Sequence, residues 1–306
     1  MQEQIPAIRT EALCKSYSSN SALALDLLDM TVRQGEIFGF LGPNGAGKTT
    51  TIKLLVDLIR PTSGRALILG LDCRKDSLEV RKKVGYLPGD FRLYPNFNGQ
   101  QLIKLFASIR PKQVVKEYVM NLCKKLDLDL DTPSRRLSHG NRQKIGLVLA
   151  MMPQPDVLIL DEPTTGLDPL VQHQVLDCLQ DARSAGRTVF FSSHILNEVE
   201  QICDRVGIIR QGKLVAIEQI QTLKQHRLQR IRFNFAEPIQ LLAFSSLPGV
   251  RVIESTTQSV YLEVTGESDS VVKAAARYHV LSLESDHPSL EDAFMAYYKA
   301  RPSCTN

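Results

Sequence analysis

Short apolar runs that end in polar turns organise the first two thirds of the chain. Residues 8–69 alternate β-rich runs with turns, and residues 36–41 lead into a glycine-rich loop and a helical pattern that begins near Lys48. Residues 157–160 and 188–191 are continuous apolar runs, each followed by polar residues and then a helical pattern. Because strands buried on both faces carry such runs, the pattern predicts an α/β fold around a parallel sheet.

Between residues 99 and 152 the apolar positions recur at spacings of three and four, which predicts helices. The positions that carry this pattern are Leu102, Leu105, Phe106, Val115, Val119, Leu122 and Leu126. We therefore expect a helical subdomain at about residues 90–152.

A separate alternation begins after residue 220. The predicted elements are strands at 231–235, 250–253, 260–264 and 280–283, helices at 238–244 and 270–278, and a last helix from Ser289 with Asp292 completing a capping box. This order, β-α-β-β-α-β plus a helix, is typical of a small ferredoxin-like domain. We expect one domain over residues 1–221 and an accessory α+β domain over residues 222–306.

Composition narrows the possible partners and compartments. With 306 residues the chain can bury two cores, and its net charge of +4 is too small to favour nucleic acid as a partner. The cysteines are scattered without a C-x-x-C pair, which is typical of reduced thiols. The first residues lack a secretory signal pattern, and apolar runs fall short of the roughly 20 residues of a membrane span. We expect a cytoplasmic protein.

The glycine-rich loop is the first segment whose residues indicate a specific chemical function. It fits the phosphate-binding Walker A pattern, between a strand and a helix, with the residues Gly42, Pro43, Asn44, Gly45, Ala46, Gly47, Lys48, Thr49 and Thr50. The glycines allow backbone amides to surround phosphate oxygens, and the helix N-terminus adds positive potential. Lys48 is predicted to reach the β and γ phosphates, and the Thr49 hydroxyl to bind Mg²⁺. The alternative is an ordinary glycine-rich turn.

A second motif joins an apolar strand to two carboxylates. Residues 157–160 run directly into Asp161 and Glu162, as in a Walker B element. We expect Asp161 to hold Mg²⁺ through water and Glu162 to polarise the water that attacks the γ-phosphate. A buried strand that ends in a solvated acidic turn is the simpler alternative, although a Walker A loop in the same chain argues against it.

Further segments resemble ABC ATPases. Residues 137–143, LSHGNRQ, resemble the signature of that family, residues 165–168, TGLD, its D-loop, and residues 192–194, SSH, its switch-histidine loop. Residues 85–88, GYLP, stand where the family has its Q-loop, and Tyr17 where an aromatic residue stacks on adenine. The resemblance covers residues 8 to about 217, with all motifs in the family's order. It implies an α/β fold with the P-loop NTPase core of ABC ATPases, an antiparallel β subdomain and the helical subdomain at about residues 90–152.

The resemblance implies an ATP-hydrolysing subunit that binds ATP and Mg²⁺ and powers a separate membrane-spanning permease. It implies a head-to-tail dimer with composite sites, in which one subunit gives the Walker motifs and the other gives Ser138 and Gly140. Asp168 of the D-loop and the catalytic set of Glu162, His194 and Lys48 complete the expected site. The tail SLEDAF at residues 289–294 is similar to drug-resistance and ABC-2-type export ATPases. The implied location is the inner face of the cell membrane, with no role for nucleic acid.

Two motifs depart from the family pattern. The Q-loop glutamine is absent, because Gly89 and Asp90 follow Pro88, and His139 and Asn141 replace a glycine and a glutamine of the signature. A carboxylate beside a flexible glycine could reach a Mg²⁺-bound water, which makes Asp90 a candidate metal residue. The alternatives for Asp90 are a solvated turn and a contact with the membrane subunit.

Two other functions compete with a transport ATPase. A soluble ABC-type ATPase acting on ribosomes or DNA would usually have two nucleotide domains or a long coiled coil, whereas this sequence has one Walker A motif and no sustained heptads. An ATP-closed regulatory module without hydrolysis is the second alternative. Glu162 and His194 favour turnover.

Overall fold

The strands and helices of the chain form two compact units, Met1–Glu218 and Gln219–Asn306. In a computed structural model, the described residues are 5–18, 22–109, 114–225, 228–265 and 268–286. The last helix expected from Ser289, with its capping box at Asp292 and the 289–294 tail, lies outside these residues.

The first unit contains two sheets and a group of helices. Its elements are β1 Ile8–Lys15, β2 Leu25–Val32, β3 Ile37–Leu41, α1 Lys48–Leu55, β4 Ser63–Ile68, β5 Leu71–Asp72, α2 Ser77–Lys83, β6 Val84–Leu87, α3 Gly99–Ser108, α4 Lys116–Lys125, α5 His139–Met151, β7 Val157–Asp161, α6 Pro169–Ser184, β8 Thr188–Ser193, α7 Leu196–Ile202, β9 Arg205–Arg210 and β10 Lys213–Gln219.

A six-stranded sheet forms the centre of this unit, in the order β10-β9-β3-β8-β7-β6. The strands from β9 to β6 run parallel, and every residue of β3, β7 and β8 is buried. The continuous apolar runs of the sequence are therefore strands covered on both faces, as predicted. Leu41 pairs with Ser193, and Asp161 with Ser192, so these strands end level at one edge of the sheet.

An antiparallel sheet, in the order β2-β1-β4-β5, forms the β subdomain of this unit. Buried and exposed side chains largely alternate along β2, so one face meets the core. That face includes Leu25, Leu28 and Met30, which belong to the same apolar cluster as Phe40 and Ile52. The β subdomain thus packs on the side of the glycine-rich loop.

Helices α3, α4 and α5 form the helical subdomain expected from the spacing of apolar residues. Both α3 and α4 pack against α5, and α3 begins with a reciprocal capping box between Asn98 and Gln101. Helix α5 begins at the Ser138 cap, and its residues from Gln143 to Met151 are all buried. This burial fixes the start of α5 relative to the central sheet.

The second unit has its own sheet and core. Its elements are α8 Ile220–Gln225, β11 Leu228–Phe235, α9 Leu242–Ser245, β12 Val250–Ser255, β13 Ser259–Thr265, α10 Asp269–Ala275 and β14 Val280–Asp286. The strands lie in the antiparallel order β12-β13-β11-β14. An aromatic cluster lies in the core, where Phe244 contacts Phe233, Phe235 and Tyr278, and Phe235 also contacts Tyr278, at ring-centroid distances between 5.6 and 6.4 Å. The small α+β unit expected in the fold class is therefore present.

The helix predicted over residues 238–244 is wrong in its first half, because α9 begins at Leu242. The Ile239 amide donates to the Thr257 carbonyl at 2.9 Å, and the Gln240 amide to the Tyr278 hydroxyl at 3.3 Å. Bonds to distant residues replace the local bonds of a helix, so tertiary contacts override the helical spacing here.

No helix in the described part of the chain is both long enough and apolar enough to cross a membrane.

Removal of residues 223–306 should leave a first unit that folds by itself, because all strands of its two sheets lie before that point. We expect a cooperative thermal unfolding transition in circular dichroism. A matched cut after Met152 removes β7 and β8 from the central sheet and should abolish the transition. Loss of cooperative unfolding in the longer fragment would show that the second unit completes the core.

Candidate functional site

The glycine-rich loop connects the end of β3 to the start of α1. Gly47 has a left-handed φ of 110°, and a Cβ at Gly42 would overlap the Ile209 carbonyl oxygen, so both positions require glycine. The Gly42 amide donates to the Ser193 carbonyl at 3.3 Å, and the Gly212 amide to the Ala46 carbonyl at 2.9 Å. These bonds fasten the loop to the ends of the neighbouring strands.

Lys48 is the first residue of α1, and its side chain turns back across the loop. Only 5% of the residue is exposed. Its ammonium donates to the carbonyls of Gly42, at 2.7 Å, and Pro43, at 3.3 Å, and lies 3.2 Å from Glu162 Oε1. A buried charge is stable only when it is paired, and this ammonium is surrounded by oxygen acceptors.

Glu162 contacts both of the other predicted catalytic residues, Lys48 and His194. Besides the contact with Lys48, its Oε2 lies 3.2 Å from His194 Nδ1 and accepts a hydrogen bond of 3.0 Å from the Thr165 hydroxyl. Burial alone would raise the pKa of this carboxyl, but the Lys48 ammonium and the hydrogen bonds outweigh burial and hold the pKa below its ordinary value. Glu162 is therefore ionised at neutral pH.

Asp161 and Glu162 turn to different partners although they are adjacent. The φ of Glu162 is 49°, a left-handed value that is uncommon outside glycine, and it bends the chain where β7 ends. The Ser192 hydroxyl donates to Asp161 Oδ1 at 2.6 Å and accepts from the Glu162 amide at 3.0 Å. One buried hydroxyl on β8 thus holds both residues of the acidic pair.

A cavity of about 340 Å³ opens beside this cluster. Its lining consists of Thr49, Lys53, Tyr86, Pro88, Gly89, Asp90, Asp161, Glu162 and Thr165. Asp90 therefore shares a cavity with the other two predicted metal residues. A Cβ at Gly89 would lie 3.4 Å from Asp161 Oδ2, so the loop after β6 passes directly over that carboxylate.

Tyr17 follows β1 and lies near the start of α1. Its hydroxyl is 3.3 Å from the Thr50 hydroxyl, and 62% of the residue is exposed. The Lys15 ammonium lies over the ring, 5.2 Å from its centroid. An exposed aromatic face next to the phosphate loop is suitably placed for a flat base.

Three predicted residues lie at helix starts outside the lining of this cavity. The Ser138 hydroxyl caps α5 by accepting from the Asn141 amide at 3.2 Å, and the Asp168 carboxylate caps α6 by accepting from the Val171 amide at 3.1 Å. Gly140 lies in the first turn of α5, where an added Cβ would meet Leu167. In the described part of the chain, no hydrogen bond or ion pair joins Ser138, Gly140 or Asp168 to Lys48, Glu162 or His194.

Sequence reasoning missed several residues that shape the site. Ser192 and Thr165 belong to the SSH and TGLD segments, but their contacts depend on the fold. The strand register places the Ser192 hydroxyl on Asp161, and the turn after β7 places the Thr165 hydroxyl on Glu162. Gln143 is buried and donates to the Pro163 carbonyl at 3.2 Å. Burial, with Asp161 nearby, raises the pKa of Tyr86 to about 12, so its hydroxyl stays protonated beside the cavity.

These features define a P-loop nucleoside triphosphatase, with a phosphate loop after one parallel strand and an acidic pair after another. A solved structure of an ATP-binding subunit of an ABC transporter has the same fold, with a TM-score of 0.65 and 27% identity, over 71% of this chain and 92% of that chain.

The ABC transporter family profile matches residues 25–165. An ABC transporter ATP-binding protein of Nostoc sp. is 38% identical over 65% of this chain, which spans 61% of that relative's length. The YcbN ABC transporter ATP-binding protein of Bacillus subtilis is 31% identical over 94% of this chain and 95% of its own length. The bacitracin transport ATP-binding protein BcrA of Bacillus licheniformis is 36% identical over 75% of both chains. The chain belongs to the ATP-binding proteins of ABC transporters and is an ATPase of that family.

Replacement of Ser192 by alanine should destabilise the first unit by about 1–3 kcal/mol, because a buried carboxylate oxygen and a buried amide each lose their partner. Denaturant unfolding of Ser192→Ala should show a lower midpoint with an unchanged slope. The matched control is Ser184→Ala, at an exposed serine at the end of α6, which should stay within about 0.5 kcal/mol of the wild type. Equal midpoints for the two variants would contradict the role assigned to Ser192.

Proposed function

We propose that this chain binds ATP with Mg²⁺ at the carboxyl edge of its central sheet and hydrolyses it to power transport through a separate membrane-spanning permease. The observation that carries the proposal is the convergence of Lys48, Glu162 and His194 from three neighbouring strand ends. An ammonium, an ionised carboxylate and an imidazole at one phosphate loop are the groups that phosphoryl transfer to water requires.

The phosphate loop binds the nucleotide. The amides of the Walker A residues and the N-terminus of α1 surround the phosphates, and the Lys48 ammonium adds a positive charge at the β and γ groups. Tyr17 stacks on the adenine, since its ring is exposed and its hydroxyl, 3.3 Å from the Thr50 hydroxyl, holds it beside the start of α1. The residues that contact ATP in one chain are Tyr17, Gly42, Pro43, Asn44, Gly45, Ala46, Gly47, Lys48, Thr49 and Thr50.

Glu162 acts as the general base. The lowered pKa keeps its carboxylate ionised, so it can accept a proton from the attacking water. Since a carboxylate only accepts hydrogen bonds, His194 donates through Nδ1 to Glu162 and its Nε2 is left for a further contact. His194 therefore orients the base, and the nearby Lys48 charge stabilises the phosphate oxygens.

The donors in the cavity fit Mg²⁺. Thr49, Asp161 and Asp90 offer a hydroxyl and two carboxylates, and Mg²⁺ prefers oxygen ligands together with water and phosphate. Ser192 engages Oδ1 of Asp161, and the second oxygen, on the Gly89 side, is positioned to hold a metal-bound water. The ion would neutralise phosphate charge, and Asp90 would take the place of the missing Q-loop glutamine.

Each complete site requires two chains in a head-to-tail homodimer. Ser138, Gly140 and Asp168 are arranged at helix N-termini yet lie outside the lining of the cavity in their own chain. A second copy supplies these residues in trans, so that the Ser138 hydroxyl, the Gly140 amide and the start of α5 face the γ-phosphate.

The permease holds this subunit at the inner face of the cell membrane, and transport is outward. The similarity to the Nod factor export ATP-binding protein I of Ralstonia nicotianae, 32% identical over 73% of this chain, supports export. The second unit, residues 222–306 by sequence, is a ferredoxin-like accessory domain, a proposal supported by its β-α-β-β-α-β order and antiparallel sheet.

Glu162→Gln should abolish ATP turnover and preserve ATP binding, because the base is lost while the proposed Mg²⁺ and phosphate ligands remain. ATP should then accumulate a dimer, measured by gel filtration with and without ATP. Glu79→Gln, at an exposed position on α2, is the control and should hydrolyse normally. A Glu162→Gln protein that hydrolyses at the wild-type rate, or that binds ATP and remains monomeric, would contradict the composite site.

Asp90→Ala should raise the Mg²⁺ concentration for half-maximal ATPase activity, by roughly tenfold, as expected when an outer ligand is lost. Gly89→Gln on that background should restore the Mg²⁺ dependence, because a side chain at position 89 starts beside Asp161 Oδ2. The measurement is ATPase rate against Mg²⁺ in the purified subunit. Unchanged Mg²⁺ dependence there, with lower activity in the assembled transporter, would assign Asp90 to coupling with the permease.

A further inference from the structure

His139 stands where the family signature has a glycine, and its side chain makes a contact that a glycine cannot make. It is the first residue of α5, and its Nε2 lies 3.2 Å from the Thr165 carbonyl oxygen. Because a carbonyl oxygen only accepts, the imidazole donates through Nε2. The ring covers Gly166, where an added Cβ would lie 2.9 Å from His139 Cδ2. The signature helix is thereby attached to the turn after β7.

Thr165 extends this contact to the proposed base. Its hydroxyl donates to Glu162 Oε2 at 3.0 Å, and its amide donates to the Glu162 carbonyl at 3.3 Å. The residue is therefore held by Glu162 on one side and by His139 on the other. A shift of the Thr165 backbone moves the hydroxyl that orients the carboxylate.

A second bond joins the same helix face to the same turn. Gln143, four residues after His139 and so on the same side of α5, donates to the Pro163 carbonyl at 3.2 Å. Gln143 is buried, whereas His139 is exposed and lines a cavity of about 490 Å³ together with Gly89 and Asp90. The turn after β7 is thus bonded to α5 at two points, by the buried Gln143 at Pro163 and by the exposed His139 at Thr165.

We propose that His139 is a positioning residue for catalysis, which holds Thr165 so that Glu162 is oriented for the attacking water. This inference rests on the proposed function. In the proposed dimer, the signature contacts the nucleotide of the partner, while Glu162 acts on the nucleotide of its own chain. The His139 side chain therefore links the two nucleotide sites.

Two substitutions separate this role from a simple effect on the start of α5. The side-chain amide nitrogen of glutamine lies the same number of bonds from Cβ as histidine Nε2, so His139→Gln keeps the donor. Asparagine places its nitrogen at the level of Nδ1, so His139→Asn is polar but too short. We expect His139→Asn to lower kcat by about five- to tenfold, the effect of one hydrogen bond, with KM within about twofold, and His139→Gln to restore most of kcat.

Thr165→Val tests the second link, because it removes the hydroxyl and keeps the carbonyl. If both residues act through Glu162, His139→Asn combined with Thr165→Val should be no slower than the slower single variant. Independent effects that multiply would overturn the proposal. His173→Asn, at an exposed histidine on α6 bonded to Gln201, is the control and should match the wild type.

ATP-dependent dimerisation distinguishes positioning from a direct phosphate contact. On the Glu162→Gln background, His139→Asn should still form the dimer with ATP, measured by gel filtration. Loss of the dimer would show that His139 binds the nucleotide in trans and would overturn the proposal, as would equal kcat values for the asparagine and glutamine variants. Failure of the wild type to hydrolyse ATP, or turnover by Glu162→Gln alone, would instead overturn the proposed function.

Discussion

The site depends on one constraint, that the neighbouring parallel strands β3, β8 and β7 end at the same level. Because Leu41 pairs with Ser193, and Asp161 with Ser192, the phosphate loop, the His194 loop and the acidic pair leave the sheet at one edge. A slip of one residue in any of these pairings would turn the side chains at that strand end to the opposite face. Both faces of these strands are buried, so a slip would also force side chains into spaces shaped for their neighbours. The packing that fixes the register therefore also fixes the geometry of the cavity.

The charge balance of the site follows from burying Lys48. An ammonium this enclosed needs acceptors, and the carbonyls of Gly42 and Pro43 together with Glu162 provide them. The same pairing keeps Glu162 ionised despite its burial. A phosphate bound at the loop would compete with these acceptors for the same ammonium.

The sequence predicted what depends on neighbours along the chain and missed what depends on register. The strand, loop and helix around Lys48 and the apolar strand before Asp161 are local patterns, and the structure contains them. The Ser192 hydroxyl reaches Asp161 across two strands, which no spacing in the sequence records. Likewise, the bond from Ile239 to a distant carbonyl replaced the helix that local spacing predicted before Leu242.

The departures at Gly89 and His139 lie in the loop after β6 and at the start of α5, and each changes the side chain that lies above a neighbouring residue. Gly89 removes a side chain above Asp161, whereas His139 adds one above Gly166. The loop after β6 can thus approach the acidic pair closely, while the start of α5 gains a hydrogen bond to the following turn. Asp90 and His139 line one cavity beside the signature, so both departures change the same surface, between the loop after β6 and the start of α5.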